Sequence, residues 1–185
     1  MCGIVGYIGN KDAVPILLKG LQRLEYRGYD SAGISVMGTG GIQIVKQAGK
    51  VSELSKAVDD SPISGTIGIA HTRWATHGEP NNINAHPHTD ASETFSLVHN
   101  GIIENHTSLR TYLHEKGVSF KTETDTEVLV QLIGYLYQKE EISFEQAVRS
   151  ALQEVVGAYG IAVTCKDEQE TIIVARLGSP LVLGV

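Results

Sequence analysis

The sequence predicts an α+β fold in which helices pack on the faces of antiparallel sheet. Predicted strands come in hairpin-like pairs, residues 34–37 with 42–46 and residues 158–165 with 171–176. Predicted helices fall in separate groups and do not alternate strictly with single strands, as a parallel doubly wound sheet would require. At 185 residues the chain suits one domain, spanning residues 1–185.

The remaining elements follow from apolar runs and capping residues. Apolar runs predict further strands at residues 2–9, 66–72 and 94–99, and a short helix at residues 52–58. Four other helices are predicted to begin at side chains that can cap a helix: Asp12, Asn105, Thr124 and Ser143. Glu127 after Thr124 and Gln146 after Ser143 complete two predicted capping boxes. Residues 74–92 form the longest polar segment between strands.

Composition and charge exclude several classes of function. The chain is 42% hydrophobic and 19% charged, with a formal net charge of −6, so binding to a nucleic-acid backbone is not expected. No apolar run reaches the roughly 20 residues of a membrane-spanning helix, and no signal peptide is recognisable. We therefore expect a cytoplasmic protein that binds neither nucleic acid nor membrane.

Cys2 is a candidate nucleophile because of its position. Removal of Met1, which the small side chain at position 2 should permit, would leave a free α-amine on Cys2. Such an amine has a pKa of roughly 7.7–8.0, so one residue would supply both nucleophile and base. A Met-Cys start is weak support by itself. The only other cysteine, Cys165, lies in an apolar strand and is expected to be a small buried hydrophobe.

Three polar motifs follow predicted strands or precede a helix. Arg73, in the run from His71 to Pro80, could grip a carboxylate with two hydrogen bonds, although pairing with a structural acid is the more ordinary role. The side chain of Asn100 and the amide of Gly101 could donate to an oxyanion, or they could form a simple Asn-Gly turn. Asp125 could face a substrate ammonium while lying at a helix start.

Metal and nucleotide sites are not expected. Seven histidines are present, but His86 and His88 are the only close pair, and no cysteine pair or helical histidine pair supports three or four ligands. The sequence also lacks a phosphate-binding loop of the Gly-x-x-x-x-Gly-Lys type. We expect no cofactor and no metal.

Longer motifs resemble the N-terminal-nucleophile class of glutamine amidotransferases, and within it the glutamine–fructose-6-phosphate aminotransferases. The start Met-Cys-Gly-Ile-Val-Gly is typical of the class. The runs from Arg23 to Gly33 and from Ala70 to Pro80 are specific to the aminotransferases. Further matching runs cover the chain end to end: 84–88, 98–105, 123–127, 157–160 and 178–182.

This resemblance implies a role for each site residue. Cys2 would attack the side-chain amide of glutamine, and Asn100 and Gly101 would form the oxyanion hole. The α-carboxylate would bind Arg73 with help from Thr76 and His77, and the α-ammonium would bind Asp125. Trp74 would belong to a loop that closes over glutamine.

The resemblance also implies a four-layer αββα sandwich and a reaction through a γ-glutamyl thioester. In the full-length enzymes the ammonia is passed to fructose 6-phosphate, which gives glucosamine 6-phosphate on a separate isomerase domain. The chain stops at Val185 after an apolar run, so we expect a partial glutaminase domain that lacks the isomerase domain. Expected partners are L-glutamine, that isomerase domain and further copies of the chain. Two alternatives remain: another amidotransferase of the class, or a fragment that binds glutamine without turnover.

Overall fold

The computed structural model describes residues 2–74 and 78–184. Its first sheet has the strand order β1-β4-β2-β3, with every neighbouring pair antiparallel. These strands are β1 (Gly3–Ile8), β2 (Ser31–Gly38), β3 (Gly41–Ala48) and β4 (Ile67–Arg73). The turn between β2 and β3 joins Gly38 to Gly41, which confirms the predicted hairpin.

The second sheet has the order β5-β6-β7-β8 and is also antiparallel. Its strands are β5 (His88–Thr89), β6 (Phe95–Ile103), β7 (Gly157–Cys165) and β8 (Glu168–Leu177). The second predicted hairpin, β7 with β8, is therefore confirmed. Strand β5 is a two-residue strand that the polar composition of residues 74–92 did not reveal.

Among the described residues, five α-helices cover the outer faces of the two sheets, and a short 3-10 helix (Glu25–Arg27) follows the first of them. Helices α1 (Ala13–Leu24) and α2 (Val51–Asp60) pack on the first sheet through a buried cluster that includes Leu17, Leu54 and Ile34. Helices α3 (His106–Glu115), α4 (Asp125–Glu140) and α5 (Phe144–Gln153) pack on the second sheet, where Cys165 is fully buried in the same cluster as Phe95 and Phe144. The prediction of Cys165 as a buried hydrophobe is confirmed.

A thinner apolar layer lies between the two sheets. Ile69 of β4, Val98 of β6 and Ala162 of β7 are buried there, with Ile4 and Ile172 packed against them. The order of layers is thus helices, sheet, sheet and helices, which is the predicted four-layer αββα sandwich. Among the described residues, the helices are all too short or too polar to cross a membrane.

The helix caps were predicted with mixed success. Asp12 accepts from the N–H of Val14, and Ser143 forms the complete predicted capping box with Gln146. Thr124 caps α4 as predicted, but the box with Glu127 is wrong. The Glu127 carboxylate instead accepts from the N–H groups of Lys121 and Thr122, so it fastens the preceding loop to the helix.

Asn105 stands at the start of α3 but makes no side-chain cap. Its side chain donates to the carbonyl of Glu154 and accepts from the N–H of Val156. These bonds hold the segment before β7 against the end of β6, because β6 ends at Ile103 and β7 begins opposite it at Gly157. The position was predicted correctly, and the capping bond was wrong.

Candidate active site

A cavity of 260 Å³ contains most of the residues nominated from the sequence. Cys2, Arg73, Trp74, Gly101 and Asp125 line it together. This volume is somewhat below the range of roughly 300–1,000 Å³ typical of small-molecule pockets, which suits a ligand no larger than an amino acid.

Strand periodicity explains why these residues meet. Successive side chains of a strand point to opposite faces of the sheet. Ile69 faces the other sheet, so His71 and Arg73 on the same strand face it too. On the facing sheet, Val98 occupies the inner layer and Asn100 follows two residues later. Both sheets therefore aim polar side chains into the same space where their apolar inner layer ends.

Cys2 is held beside the end of β4 because β1 pairs with that strand. Gly3 is paired with Thr72, which brings Cys2 next to the residues that follow. The N–H of Trp74 donates to Cys2 Sγ at 3.1 Å, and the thiol lies 3.5 Å from the carbonyl oxygen of Trp74. Burial raises the pKa of the Cys2 thiol, and the N–H of Trp74 acts in the opposite direction. The thiol therefore needs a base before it can act as a nucleophile.

Asn100 and Gly101 do not follow β6 but lie within it, so the predicted end of the strand near residue 99 was wrong. They pair with Gly160 and Tyr159 of β7, which excludes the simple Asn-Gly turn. Gly101 has φ +134°, and a side chain there would overlap the carbonyl oxygen of Ala158. The strand continues because glycine permits this irregular backbone, which a residue with a side chain would not adopt.

The side chain of Asn100 reaches Cys2 and the other sheet together. Its Nδ2 lies 3.4 Å from the Cys2 carbonyl oxygen, and its Oδ1 lies 2.8 Å from Nε2 of His71. An amide N–H group next to the nucleophile is the kind of donor that stabilises an oxyanion. The structure thus places Asn100 at the main chain of Cys2 and Gly101 in the lining of the same cavity as the thiol.

Arg73 is the buried cation of the cavity. Its Nη1 donates to the carbonyl of Glu79 and its Nη2 to that of Gly78, at 3.2 and 3.1 Å. Asp30 Oδ1 lies 3.6 Å from Nη1, so the pairing with a structural acid also occurs. These contacts fix the plane of the guanidinium while it still lines the cavity.

Asp125 is the buried anion of the cavity. It is the first residue of α4, and its Oδ2 accepts from the N–H of Ile103 at 2.9 Å. The start of a helix favours a negative charge because unpaired N–H groups point toward it. His99 Nδ1 lies 3.9 Å from the same oxygen. One fixed cation and one fixed anion therefore face a common space, as a free amino acid requires.

Trp74 is 55% exposed, and its ring packs against Gly28. Its side chain is therefore not buried in the core. Thr76 and His77, also predicted to bind substrate, lie outside the described residues.

A group of buried histidines beside the site was missed by the sequence analysis. The rings of His71, His86 and His88 contact one another in a row, called here the histidine stack. His71 and His86 are tilted by 32° with centroids 4.2 Å apart, and His86 and His88 meet edge to face at 4.8 Å. Burial lowers the pKa of His71 to about 3 and the pKa values of His86 and His88 well below the ordinary range. All three are therefore neutral at pH 7. The available signal was strand periodicity, which places His71 on the same face as Arg73.

The stack is possible because the polar segment enters the space between the sheets. Gly33 of β2 lies under the carbonyl of His86, and a side chain at Gly33 would overlap that oxygen. The N–H of Ala48 donates to Asn82 Oδ1 at 2.6 Å, which ties the same segment to the edge of β3. Within this segment, His86 lines the cavity.

The cleft beside α3 and a metal centre are two further candidates for a functional site. A larger cleft of 750 Å³ lies beside α3, but its Arg110 already donates to the carbonyls of Thr122 and Thr124 and packs over Phe120. Within residues 2–74 and 78–184, no three His, Cys, Asp or Glu side chains are arranged to hold a metal ion.

Comparison with protein families gives one matching domain. The family described as "Glutamine amidotransferase domain" matches residues 71–181. This range contains Arg73, Asn100, Gly101 and Asp125.

Two similar curated proteins are bacterial glutamine–fructose-6-phosphate aminotransferases (isomerizing). The protein of Bacteroides thetaiotaomicron is 57% identical over 186 residues, and that of Thermus thermophilus is 50% identical over 185 residues. Each alignment covers 100% of this chain and 30% of the relative. The chain thus spans less than a third of the length of these proteins.

Solved structures share the architecture. Glutamine phosphoribosylpyrophosphate amidotransferase from B. subtilis aligns with a TM-score of 0.79 and 28% identity, over 95% of this chain and 37% of that one. A class-II glutamine aminotransferase domain protein from Silicibacter pomeroyi aligns with a TM-score of 0.62 over 98% of this chain and 79% of that one. At 16% identity the second protein shows a shared fold alone.

Proposed function

This chain belongs to the glutamine amidotransferase domain family, and from that premise we propose that it hydrolyses the side-chain amide of glutamine with Cys2 as the nucleophile. The observation that carries the proposal is the meeting of three features in one cavity. These are the thiol of Cys2, the main chain of Gly101 with the Asn100 amide at the Cys2 carbonyl, and a buried cation and anion that fit the charges of a free amino acid.

The first step is activation of the thiol. Removal of Met1 leaves the α-amine of Cys2 free, and this amine takes the proton of Sγ as its general base. The N–H of Trp74 stabilises the resulting thiolate because it already donates to Sγ. Burial opposes the charge, so both groups are needed at neutral pH.

The second step forms and then breaks the thioester. The thiolate attacks the amide carbon, and the oxygen becomes an oxyanion that accepts from Gly101 N–H and Asn100 Nδ2. The protonated α-amine of Cys2 then gives its proton to the amide nitrogen of the substrate. The carbon–nitrogen bond breaks, and ammonia leaves. Water then attacks the γ-glutamyl thioester, which releases glutamate and restores the thiol.

Recognition uses the charges at the far end of the substrate. We assign the α-carboxylate to Arg73, assisted by Thr76 and His77, and the α-ammonium to Asp125. The contacts of Arg73 with Gly78 and Glu79 connect this site to the loop that begins at Trp74. Binding of the carboxylate at Arg73 would therefore change the hydrogen bonds that hold that loop. We propose that the loop closes over glutamine.

The wider role follows from the full-length relatives. The relatives named above are glutamine–fructose-6-phosphate aminotransferases, at 57% and 50% identity, whereas the phosphoribosylpyrophosphate enzyme is 28% identical. This difference favours delivery of ammonia to fructose 6-phosphate on an isomerase domain. A cytoplasmic location and a homo-oligomer are further parts of the proposal. The chemistry above uses no metal and no organic cofactor.

Glutamate release by processed protein tests the proposal. We expect turnover by the wild type and none above background in Cys2→Ala, with glutamate and ammonia formed in equal amounts. Cys165→Ala is the matched control, because Cys165 is buried in the helical core of the second sheet and should not affect turnover. Turnover retained in Cys2→Ala, or absent from processed wild type, would contradict the proposal.

A further inference from the structure

His71 and Asn100 come from different sheets and meet across the inner layer. His71 lies on β4 of the first sheet, and Asn100 lies on β6 of the second. Nε2 of His71 is 2.8 Å from Oδ1 of Asn100, which is an ordinary distance for a hydrogen bond between nitrogen and oxygen. It is a direct polar link between two sheets that also meet through the apolar side chains of the inner layer.

The Cys2 carbonyl determines which way the Asn100 amide points. A carbonyl oxygen only accepts, so the Asn100 atom beside it must be the nitrogen. The amide oxygen then faces His71, and an oxygen also only accepts. Nε2 of His71 must therefore carry the hydrogen that joins the two side chains.

The surroundings of His71 keep it in that form. The side chain is fully buried and stacked on His86, and burial favours the neutral ring, which has a single hydrogen to place. Nδ1 has no hydrogen-bond partner within residues 2–74 and 78–184. With the hydrogen on Nε2, the bare Nδ1 needs no acceptor. The lack of a partner at Nδ1 therefore agrees with the hydrogen bond from Nε2 to Asn100.

We propose that His71 is a positioning residue that holds the Asn100 amide with its nitrogen toward the nucleophile. This inference rests on the proposed hydrolysis of glutamine. Asn100 Nδ2 has two hydrogens, of which one is directed to the Cys2 carbonyl, so the other is available for the developing oxyanion. A reversed amide would present oxygen to that charge and repel it.

A double-mutant cycle tests the coupling. Replacement of His71 by Phe removes the donor, and we expect kcat to fall roughly 10- to 100-fold with KM changed less than about twofold, since an oxyanion donor acts mainly in the transition state. In an Asn100→Ala background the same replacement should cause no further loss. His71→Gln, whose amide can donate, should recover a large part of kcat. A full loss that persists in the Asn100→Ala background would overturn the proposal.

His88→Phe is the matched control for disruption of the histidine stack. His88 belongs to the stack, but its Nε2 lies 3.2 Å from Thr124 Oγ1 and it has no hydrogen bond to Asn100. The effects of His88→Phe and Asn100→Ala on kcat should be independent. The double variant should therefore show the product of the two single fold-losses. Equal coupling of His71 and His88 with Asn100 would mean that the stack acts only through folding, which would also overturn the proposal.

A long-range ¹H–¹⁵N spectrum of the imidazoles tests the pairing without turnover. We expect His71 to show a protonated Nε2 and a bare Nδ1 at pH 7. A ring protonated at Nδ1 would overturn the assignment. Because the spectrum does not depend on hydrolysis, an inactive wild type with the expected ring would count against the proposed function and not against the pairing.

Discussion

The N–H of Trp74 donates to the thiol of Cys2 at 3.1 Å, although 72 positions separate the two residues. The contact follows from the pairing of β1 with β4, in which Gly3 lies opposite Thr72. The nucleophile is therefore positioned by strand register and by a main-chain donor that any residue except proline at position 74 would retain. The same register places Arg73 beside Cys2, so nucleophile and carboxylate site depend on one strand pair.

The reactivity of the thiol should report its burial. Because burial raises the pKa of Cys2, protein that retains Met1 should react with iodoacetamide at a rate that rises with pH through a midpoint above the ordinary cysteine range of about 8.5. Cys165 is fully buried and serves as an internal control that should stay unlabelled. Intact mass measured against time from pH 6 to 10 gives the midpoint. A midpoint near 7 would show that the N–H of Trp74 outweighs burial.

Removal of Met1 should switch turnover on. Protein that retains the methionine has no α-amine on Cys2, so the base is absent and glutamate release should stay near background. Treatment of the same sample with methionine aminopeptidase should restore turnover, with the mass loss of one methionine in parallel. Robust turnover by protein whose mass still includes Met1 would refute the amine as the base.

Local sequence patterns predicted antiparallel sheet with helices on its faces and nominated the candidate residues Cys2, Arg73, Asn100, Gly101 and Asp125. The four-layer order and the role of each site residue came from the family resemblance. Apolar periodicity predicted the strand pairs, and His71 shares a face with Arg73 by simple alternation. The continuation of β6 through Asn100 and Gly101 could not be predicted, because it depends on the backbone of β7 passing close to Gly101. Residues 79–90 appeared to be a polar loop, yet His86 and His88 are buried by contacts with both sheets. Such long-range packing leaves no local pattern.

The buried histidines should make the fold sensitive to acid. Their pKa values are lowered in the folded protein, so the unfolded chain binds more protons below about pH 6.5 and stability falls as the pH falls. The stabilisation is fully present above pH 6.5. Each histidine should contribute at most about 1.4 kcal/mol per pH unit below it.

The free energy of unfolding, measured with urea between pH 7 and 5, gives the slope of stability against pH. His88→Gln should reduce it by about 1 kcal/mol per pH unit, because one buried imidazole no longer titrates. His114→Gln is the control, since His114 is exposed on α3 and should leave the slope unchanged. Equal slopes in wild type and His88→Gln would contradict the prediction.

Gly101→Ala should impair hydrolysis and stability together. The residue has φ +134°, and a methyl group would overlap the carbonyl oxygen of Ala158, so the backbone that presents the Gly101 N–H must shift. We expect a loss of at least about tenfold in kcat and of about 1–3 kcal/mol in unfolding free energy. Gly117→Ala is the matched control, because Gly117 also has positive φ but open space around it. It should cost stability without loss of kcat, and an equal kcat loss in both variants would contradict the prediction.

Affinity for glutamine should depend on the two buried charges of the cavity. Asp125→Asn is the cleaner change, because the asparagine oxygen can still accept from the N–H of Ile103 while the negative charge is lost. Arg73→Ala also removes the bonds to Gly78 and Glu79, so its effect includes the loop. A charge-assisted hydrogen bond contributes roughly 1.5–3 kcal/mol, which corresponds to about 10- to 150-fold in Kd.

Calorimetry should be carried out in a Cys2→Ala background, so that glutamine is bound and not consumed. Cys2→Ala itself should leave Kd close to that of the wild type, since it removes the nucleophile and neither charge. Asp125→Asn and Arg73→Ala should each raise Kd by at least about tenfold. Asp12→Asn, at the cap of α1 and outside the cavity lining, removes a carboxylate without expected effect. If Asp125→Asn and Asp12→Asn bind glutamine equally well, the ammonium is held elsewhere, and Asp125 acts only as the acceptor for Ile103.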